Sequence, residues 1–141
     1  MKSVNEDIGK LILRITIGGL LIFHGIKKAV DGHYFVEKVL TKKGLPEYLW
    51  LGVPIGEIIA PLLLIFGMFT RSATLIIAFT MIMTIYLAFG IAGFELNQYG
   101  AFKVELNLFY LFTAVSLYFL GAGKYSLSER LFESKSSLKG L

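Results

Sequence analysis

The stretch RITIGGLLIFHGIKK, residues 14–28, decides the fold, because it is a long apolar helix that carries a few ionisable residues. It belongs to the first of four continuous apolar runs, which cover residues 8–28, 48–69, 72–94 and 104–121. Each run has about the 17 to 25 residues that a helix needs to cross a bilayer. Continuous runs are typical of helices, whereas barrel strands alternate. The sequence predicts an all-α integral membrane four-helix transmembrane bundle, a single domain over residues 1–141, with both termini on one side.

Composition supports a membrane location and excludes several kinds of chemistry. The 141 residues are 55% hydrophobic and 17% charged, with a mean hydropathy of +0.69, which is beyond the range of soluble domains. The absence of cysteine excludes disulfide exchange, thiolate metal sites and cysteine nucleophiles. The net charge of +4 comes from basic residues in short loops. Membrane lipids with anionic headgroups are therefore the expected partners, and nucleic acid is not.

The connections between the runs predict how the chain crosses the membrane. Thr70 and Arg71 join the second and third runs, so we expect a tight antiparallel hairpin there. Four crossings bring both termini to one end of the bundle, called here the terminal end; the opposite end is the loop end. Eight of the 14 Lys and Arg residues fall on the terminal end. The positive-inside rule then predicts a multi-pass protein of the cytoplasmic membrane with cytoplasmic termini.

Helix direction gathers ionisable residues at each end of the bundle. At the loop end we expect His24 and Lys28 from the first run, Glu57 from the second, and Glu105 with Asn107 from the fourth. These are the candidate ligand or proton-site residues, because charge at membrane depth is a functional hypothesis by default. At the terminal end we expect a second polar cluster.

That second cluster consists of Arg14, Arg71 and Tyr125. Arg14 lies about two turns from the expected membrane surface and Lys28 lies near the other end, so both side chains are long enough to snorkel. At about 100° per residue, Arg14, Gly18, Gly25 and Lys28 share one stripe of the first helix. Gly18 and Gly25 are expected to pack against a neighbouring helix, because small residues let membrane helices approach closely.

Two side chains at the loop end have more than one interpretation. Pro61 cannot donate to the carbonyl of Glu57, so a free acceptor is expected beside the Glu57 carboxyl. That carboxyl holds a proton, a cation or a hydroxyl donor, or it pairs with Lys28 or His24 and fixes the bundle. His24 is a hydrogen-bonded core imidazole, a proton donor or quinone-carbonyl partner, or a haem or metal ligand. With only two histidines and no cysteine, no metal site is predicted and no cofactor is evident.

The residues described above, in this order and spacing, resemble those of the DoxX family of small four-span membrane proteins. The resemblance covers nearly the whole chain and rests on Arg14, Gly18, His24, Gly25, Lys28, Glu57, Gly67, Thr70, Arg71, Glu105 and the Gly-Ala-Gly-Lys-Tyr-Ser-Leu segment at 121–127. Ser128 departs from the family pattern, where Asp often follows Ser-Leu, and Lys124 stands where Arg is common. The resemblance implies a four-helix bundle associated with membrane redox chemistry, and some relatives are subunits of quinone-reducing or terminal-oxidase complexes.

These observations lead to one main hypothesis and two alternatives. The main hypothesis is a subunit or membrane anchor of a quinone-linked redox complex, whose loop-end residues contact a quinone or relay its protons. Its partners would be a soluble oxidoreductase, other membrane subunits or further copies of the chain. The alternatives are a non-catalytic scaffold or chaperone, and a small transporter coupled to protons or cations. The sequence leaves open whether the protein has turnover of its own.

Overall fold

The computed structural model describes residues 4–129 and 131, which are helical apart from turns and one isolated bridge between Leu96 and Phe102. The first span is α1 (Val4–Asp31), and a short helix, α2 (Tyr34–Lys42), follows it. The second span covers Glu47–Phe66 and the third covers Thr70–Phe94. The last helix of the bundle is α6 (Glu105–Leu120). The all-α prediction is therefore confirmed.

The second and third spans both change their helical geometry near the loop end. The second begins with a 3₁₀ turn, Glu47–Leu51, and continues through α3 (Gly52–Pro54), a π turn (Ile55–Ile59) and α4 (Ala60–Phe66). The third consists of α5 (Thr70–Thr84), a π turn (Ile85–Phe89) and a 3₁₀ turn (Gly90–Phe94). π turns inside α-helices occur frequently at functional sites. The two π turns both lie near the loop end, so that end is the first place to look for a functional site.

The turn between the second and third spans differs from the expected connection. The helix ends at Gly67, whose φ of 69° is left-handed, and Thr70 is already the first residue of α5. The Met68 N–H donates to the Leu63 carbonyl and the Gly67 N–H to the Leu64 carbonyl, which is a Schellman ending. Thr70 and Arg71 were predicted to form the connection; that was wrong, because Gly67 ends the helix three residues earlier.

The helices have the length and arrangement of a multi-pass membrane protein. Three of them are long and apolar enough to cross a membrane, and α6, with 16 residues, is shorter. The Lys124 N–H, just beyond α6, donates to Asp7 Oδ1, near the start of α1, at 3.1 Å. The beginning of the first helix and the end of the last therefore meet at one end of the bundle. This is the up-and-down order that four apolar runs predict.

The core is a narrow seam between the helices, and most other apolar side chains face outward. The buried apolar residues of this seam are Ile17, Leu21, Ala60, Leu64, Ala73, Ile77, Ala78, Met81, Tyr110, Ala114 and Leu117. Large side chains such as Phe23, Phe79, Phe112 and Phe119 are mostly exposed. An apolar exterior of this extent suits a bilayer, because hydrocarbon is as apolar as the side chains that meet it.

Candidate functional site

An ion pair between the first and second spans is the centre of the candidate site. Lys28 Nζ donates to Glu57 Oε1 at 2.5 Å, and the Glu57 side chain is only 2% exposed while that of Lys28 is 36% exposed. The second carboxylate oxygen, Glu57 Oε2, is buried and has no hydrogen-bond partner among the described residues. A buried acceptor without a partner is costly and calls for an explanation. Glu57 therefore has unused capacity for a proton or a ligand donor.

The local fold of the second span places Glu57 against α1. Glu57 lies in the middle of the π turn, where the Ala60 N–H bonds the Ile55 carbonyl five residues earlier. The Glu57 carbonyl lies against Gly25, since a Cβ on Gly25 would be only 2.7 Å from that oxygen. Pro61 supplies no N–H to this carbonyl. The Glu57 carbonyl, which lacks its usual helical donor, thus lies against the backbone of α1 at Gly25. A larger residue than glycine does not fit at that position.

A cavity of about 170 Å³ opens beside the ion pair. Its lining comprises Gly25, Lys28, Ala29, His33, Val36, Trp50, Val53 and Pro54. The rings of His33 and Trp50 are stacked, with centroids 4.1 Å apart and planes 10° from parallel. His33 Nε2 also lies 3.2 Å from Glu37 Oε1. The cavity lining therefore combines one cation, Lys28, with a stacked pair of aromatic rings.

His33, rather than His24, is the histidine near Lys28. The prediction that His24 joins Lys28 and Glu57 was wrong: His24 is exposed, and its ring forms a T-shaped contact with that of Tyr110 at a centroid distance of 6.2 Å. His24 precedes Gly25 by one residue, which rotates it about 100° away from the face of α1 that contacts the second span. Neither the loop position of His33 nor its stacking on Trp50 follows from helical periodicity.

The two candidates from the fourth span also lie apart from the ion pair. Glu105 is exposed in the first turn of α6, where a carboxylate is favoured by the helix dipole. Asn107 is half-buried and its Nδ2 donates to Met81 Sδ at 3.7 Å. Of the residues predicted to converge at the loop end, the structure brings together Lys28 and Glu57. The predicted convergence with Glu105 was wrong, because the start of α6 presents that side chain outward.

Arg14 forms the second polar centre, at the terminal end. It is completely buried, and its guanidinium donates to the carbonyls of Leu64, Ile65 and Tyr125 at 3.3, 3.1 and 2.5 Å. The last carbonyls of a helix lack intrahelical partners and carry the negative end of its dipole. Arg14 therefore does not snorkel to the surface, although its side chain is long enough to do so; like Gly18 on the same stripe of α1, it faces the bundle. Its charge is taken up inside the protein by the end of α4.

The segment after α6 closes over Arg14. Tyr125 contributes its backbone carbonyl, while its side chain is 40% exposed. Ser128 Oγ donates to the Gly67 carbonyl at 2.8 Å, and a Cβ on Gly67 would collide with Arg14 Nη1. Arg71 takes no part in these bonds; it is exposed and lines a separate cavity. The structure therefore brings together Arg14 and the Tyr125 backbone of the predicted second cluster, but Arg71 lies apart from them.

Sequence reasoning missed two buried charges next to Arg14. Asp7 and Lys10 are 7% and 5% exposed, and Lys10 Nζ lies 3.8 Å from Asp7 Oδ1. The signal was present in the sequence, because spacings of three and four place Asp7, Lys10 and Arg14 on one helix face.

Gly18 and Gly25 lie where α1 approaches the second span most closely. A Cβ on Gly18 would be 2.6 Å from Ile65 Cγ1 and 2.9 Å from the Pro61 carbonyl, and a Cβ on Gly25 would be 2.6 Å from Ile58 Cγ1. Such distances are shorter than a van der Waals contact. Close approach of α1 to the second span therefore depends on both glycines, and it holds Lys28 beside Glu57.

The described residues hold no group of three or more His, Asp or Glu side chains placed to bind a metal ion. The chain is 28% identical to an uncharacterized protein of Haemophilus influenzae, over an alignment of 150 positions that covers 100% of this chain and 97% of that protein. No solved structure matches it. The DoxX family model matches residues 9–90, which is more than half of the chain. On that match the protein belongs to the DoxX family.

Proposed function

We propose that this protein is the membrane component of a quinone-linked redox complex, and that the loop-end cavity beside Lys28 and Glu57 receives the quinone headgroup or passes its protons. The observation that carries the proposal is the buried Glu57 Oε2, which has no hydrogen-bond partner in the described part of the chain and belongs to a carboxylate paired with a cavity-lining cation. A buried carboxylate with spare capacity is suited to proton transfer.

The size and lining of the cavity suit one aromatic ring. Its volume of about 170 Å³ is close to that of a cavity known to take up benzene, about 150 Å³. The stacked His33 and Trp50 rings offer a flat surface at one side, and the Lys28 ammonium offers a donor for a carbonyl oxygen. A single-ring quinone headgroup therefore fits better than a two-ring one.

The proposed chemistry needs electrons from elsewhere. Reduction of a quinone to a quinol takes up two electrons and two protons, one proton at each carbonyl oxygen. Lys28 and Glu57 would deliver one proton to the oxygen nearest them, since Lys28 belongs to both the cavity and the ion pair; the second oxygen would take its proton from water. The electrons come from a partner, which we propose is a soluble oxidoreductase or another membrane subunit.

Intrinsic fluorescence tests quinone binding directly, because Trp50 lines the cavity and is the single tryptophan of the chain. Titration of the detergent-solubilised protein with decylubiquinone is expected to quench Trp50 saturably, whereas menadione, with two rings, quenches it only weakly. Lys28→Gln and Glu57→Gln are expected to weaken decylubiquinone binding by about tenfold, as for loss of a charge-assisted hydrogen bond. His24→Gln, an exposed position on the same helix, is the matched control and should bind like the wild type.

The ion pair also favours a second candidate function, a non-catalytic scaffold. Lys28 and Glu57 connect two spans, so the pair alone is able to fix their relative position. A scaffold predicts that Glu57→Gln lowers the unfolding free energy but that neither quinone quenches Trp50 saturably in any variant. Lack of saturable quenching in the folded wild type would therefore refute the redox proposal and leave the scaffold.

We further propose that the bundle lies in the cytoplasmic membrane with the terminal end on the cytoplasmic side. The larger number of basic residues at that end supports this orientation. Because the chain has no cysteine, single replacements Arg71→Cys and Lys38→Cys report the two ends without background. In intact cells a membrane-impermeant maleimide should label Lys38→Cys but not Arg71→Cys; the reverse pattern would invert the orientation.

A further inference from the structure

A second cavity lies at the terminal end, away from the loop-end site. It has a volume of about 800 Å³ and lies between the turn into α5 and the segment after α6. Lining it are Asp7, Met68, Phe69, Thr70, Arg71, Ser72, Phe119, Leu120, Gly121, Ala122, Gly123, Lys124, Ser128, Glu129 and Leu131. The proposed redox chemistry makes no use of it.

One wall of this cavity is the start of a 15-residue helix. Thr70, Arg71 and Ser72 are the first residues of α5, and no side chain caps them. The N–H groups at the start of a helix lack intrahelical partners and carry the positive end of the dipole, which favours phosphate. Arg71 is exposed in the same wall, and Lys124 lies in the opposite one.

An unpartnered hydroxyl in this wall is an independent sign of a ligand. Thr70 is only 6% exposed, and its Oγ1 is buried without a hydrogen-bond partner among the described residues. A hydroxyl in that position costs free energy unless a ligand or water satisfies it. A phosphate oxygen held at the start of α5 would accept from Thr70 Oγ1 and from the adjacent N–H groups.

The remaining charges of the cavity leave an excess of positive charge. Asp7 is engaged by Lys10 and by the Lys124 N–H, so it is already compensated. Glu129 is the other described acid in the lining, and it is outnumbered by the two cations. A ligand with one negative charge balances the set.

The cavity lining also contains large apolar side chains that the protein leaves exposed. Phe69 and Phe119 are 71% and 76% exposed, and Leu120 is 44% exposed beside them. Polar groups at the membrane surface with exposed aromatic and aliphatic side chains next to them match a molecule with a phosphate head and acyl chains. A free phosphate uses only the polar half of the cavity.

From this arrangement we infer that the terminal-end cavity binds a phospholipid by its phosphate group, which the start of α5, Thr70, Arg71 and Lys124 hold while the acyl chains lie along Phe69 and Phe119. The inference is independent of the redox proposal, because it concerns the opposite end of the bundle.

Binding of defined lipids to the delipidated, detergent-solubilised full chain tests this inference. Native mass spectrometry should show saturable binding of short-chain phosphatidylglycerol. Arg71→Gln combined with Lys124→Gln should raise its Kd by about tenfold, the effect of losing a charge-assisted hydrogen bond. Lys38→Gln, an exposed lysine on α2, is the matched control and should leave the Kd unchanged. Equal affinity of the double variant and the wild type would overturn the assignment.

Two further ligands separate the parts of the assignment. Diacylglycerol has the acyl chains without the phosphate and should bind at least tenfold more weakly; equal binding would overturn the role of phosphate. Inorganic phosphate has no chains and should compete only at far higher concentration than the lipid. Competition at equal concentration would overturn the lipid as the source of the phosphate.

Thr70→Val distinguishes a ligand-binding threonine from a purely structural one. Valine has the same shape and removes the orphan hydroxyl, so the lipid-free protein should be as stable as the wild type or more stable. The same variant should bind phosphatidylglycerol several-fold more weakly. A loss of stability, or unchanged lipid affinity, would refute the role given to Thr70 Oγ1.

Discussion

Replacement of Arg14 by Met tests the idea that a buried guanidinium locks the terminal end. The change removes three hydrogen bonds, to the carbonyls of Leu64, Ile65 and Tyr125, and keeps a long apolar side chain. Polar contacts between membrane helices contribute about 0.6 kcal/mol on average and about 1.7 kcal/mol at most. Three such contacts predict a loss of about 2 to 5 kcal/mol in unfolding free energy.

The loss is measured by reversible unfolding in mixed detergent micelles without phospholipid, followed by circular dichroism. Arg71→Met is the matched control, because Arg71 is exposed at the same end of the bundle, and it should change stability by no more than about 0.5 kcal/mol. Arg14→Met should also accelerate tryptic cleavage after Lys124, since the Tyr125 carbonyl is no longer held.

Two results would refute this reasoning. One is an Arg14→Met protein that unfolds within about 0.5 kcal/mol of the Arg71→Met control. The other is unchanged cleavage after Lys124, which would mean that the segment following α6 is held without Arg14.

The remaining predictions concern helix approach and a surface ion pair. Gly25→Ala should destabilise the protein by about 1 to 3 kcal/mol through overpacking, because the new Cβ would lie 2.7 Å from the Glu57 carbonyl oxygen. Gly19→Ala is the control and should not destabilise the protein, because a Cβ there would have nothing within 4 Å. Equal thermal unfolding temperatures of the two variants would contradict this prediction. Glu95, in the loop before α6, has its pKa lowered by a hydrogen bond from Lys103 and by its charge. The stabilising contribution of that pair is present above the unfolded pKa and is lost as pH falls through the folded pKa. Lys103→Gln should therefore raise the pKa of Glu95 measured by carboxyl-carbon NMR, and an unchanged value would show that the pair does not form in solution.

The sequence allowed the helices and their order to be predicted because each span is long enough to satisfy its own backbone. Continuous apolar runs in lipid leave few alternatives to helices. The ends of the spans were less predictable. The second span was expected to end at 69, whereas Gly67 ends the helix with a left-handed residue and a Schellman pair of bonds. A glycine within an apolar run gives no clear sign of where a helix stops.

The candidate site could be predicted only in part, because side-chain contacts depend on helix rotation. Lys28 and Glu57 form an ion pair, which was one of the alternatives that the sequence left open for Glu57. His24 points elsewhere, since one residue along a helix changes its direction by about 100°. His33 enters the site from a loop, and no periodic pattern describes a loop. Arg14 bonds to carbonyls, which every residue has, so no residue type in the sequence marked its partners.

Each of the two buried charged centres leaves one buried atom without a hydrogen-bond partner among the described residues, Nε of Arg14 and Oε2 of Glu57, but the two centres differ in what their other polar atoms bind. The terminal nitrogens of Arg14 donate to three carbonyls, two at the end of α4 and one in the segment after α6. Carbonyls at the end of a helix need donors from outside the helix, so the burial of Arg14 serves the fold. Glu57 satisfies no backbone group in this way: one oxygen pairs with Lys28, and the other is buried with no donor from residues 4–129 or 131. Replacing a buried ion pair by apolar residues is often neutral or stabilising, so stability alone does not require the Lys28–Glu57 pair. An unpaired acceptor costs about 1 to 3 kcal/mol, and its position on a carboxylate paired with a cavity-lining cation is what supports the proposed ligand or proton at the loop end.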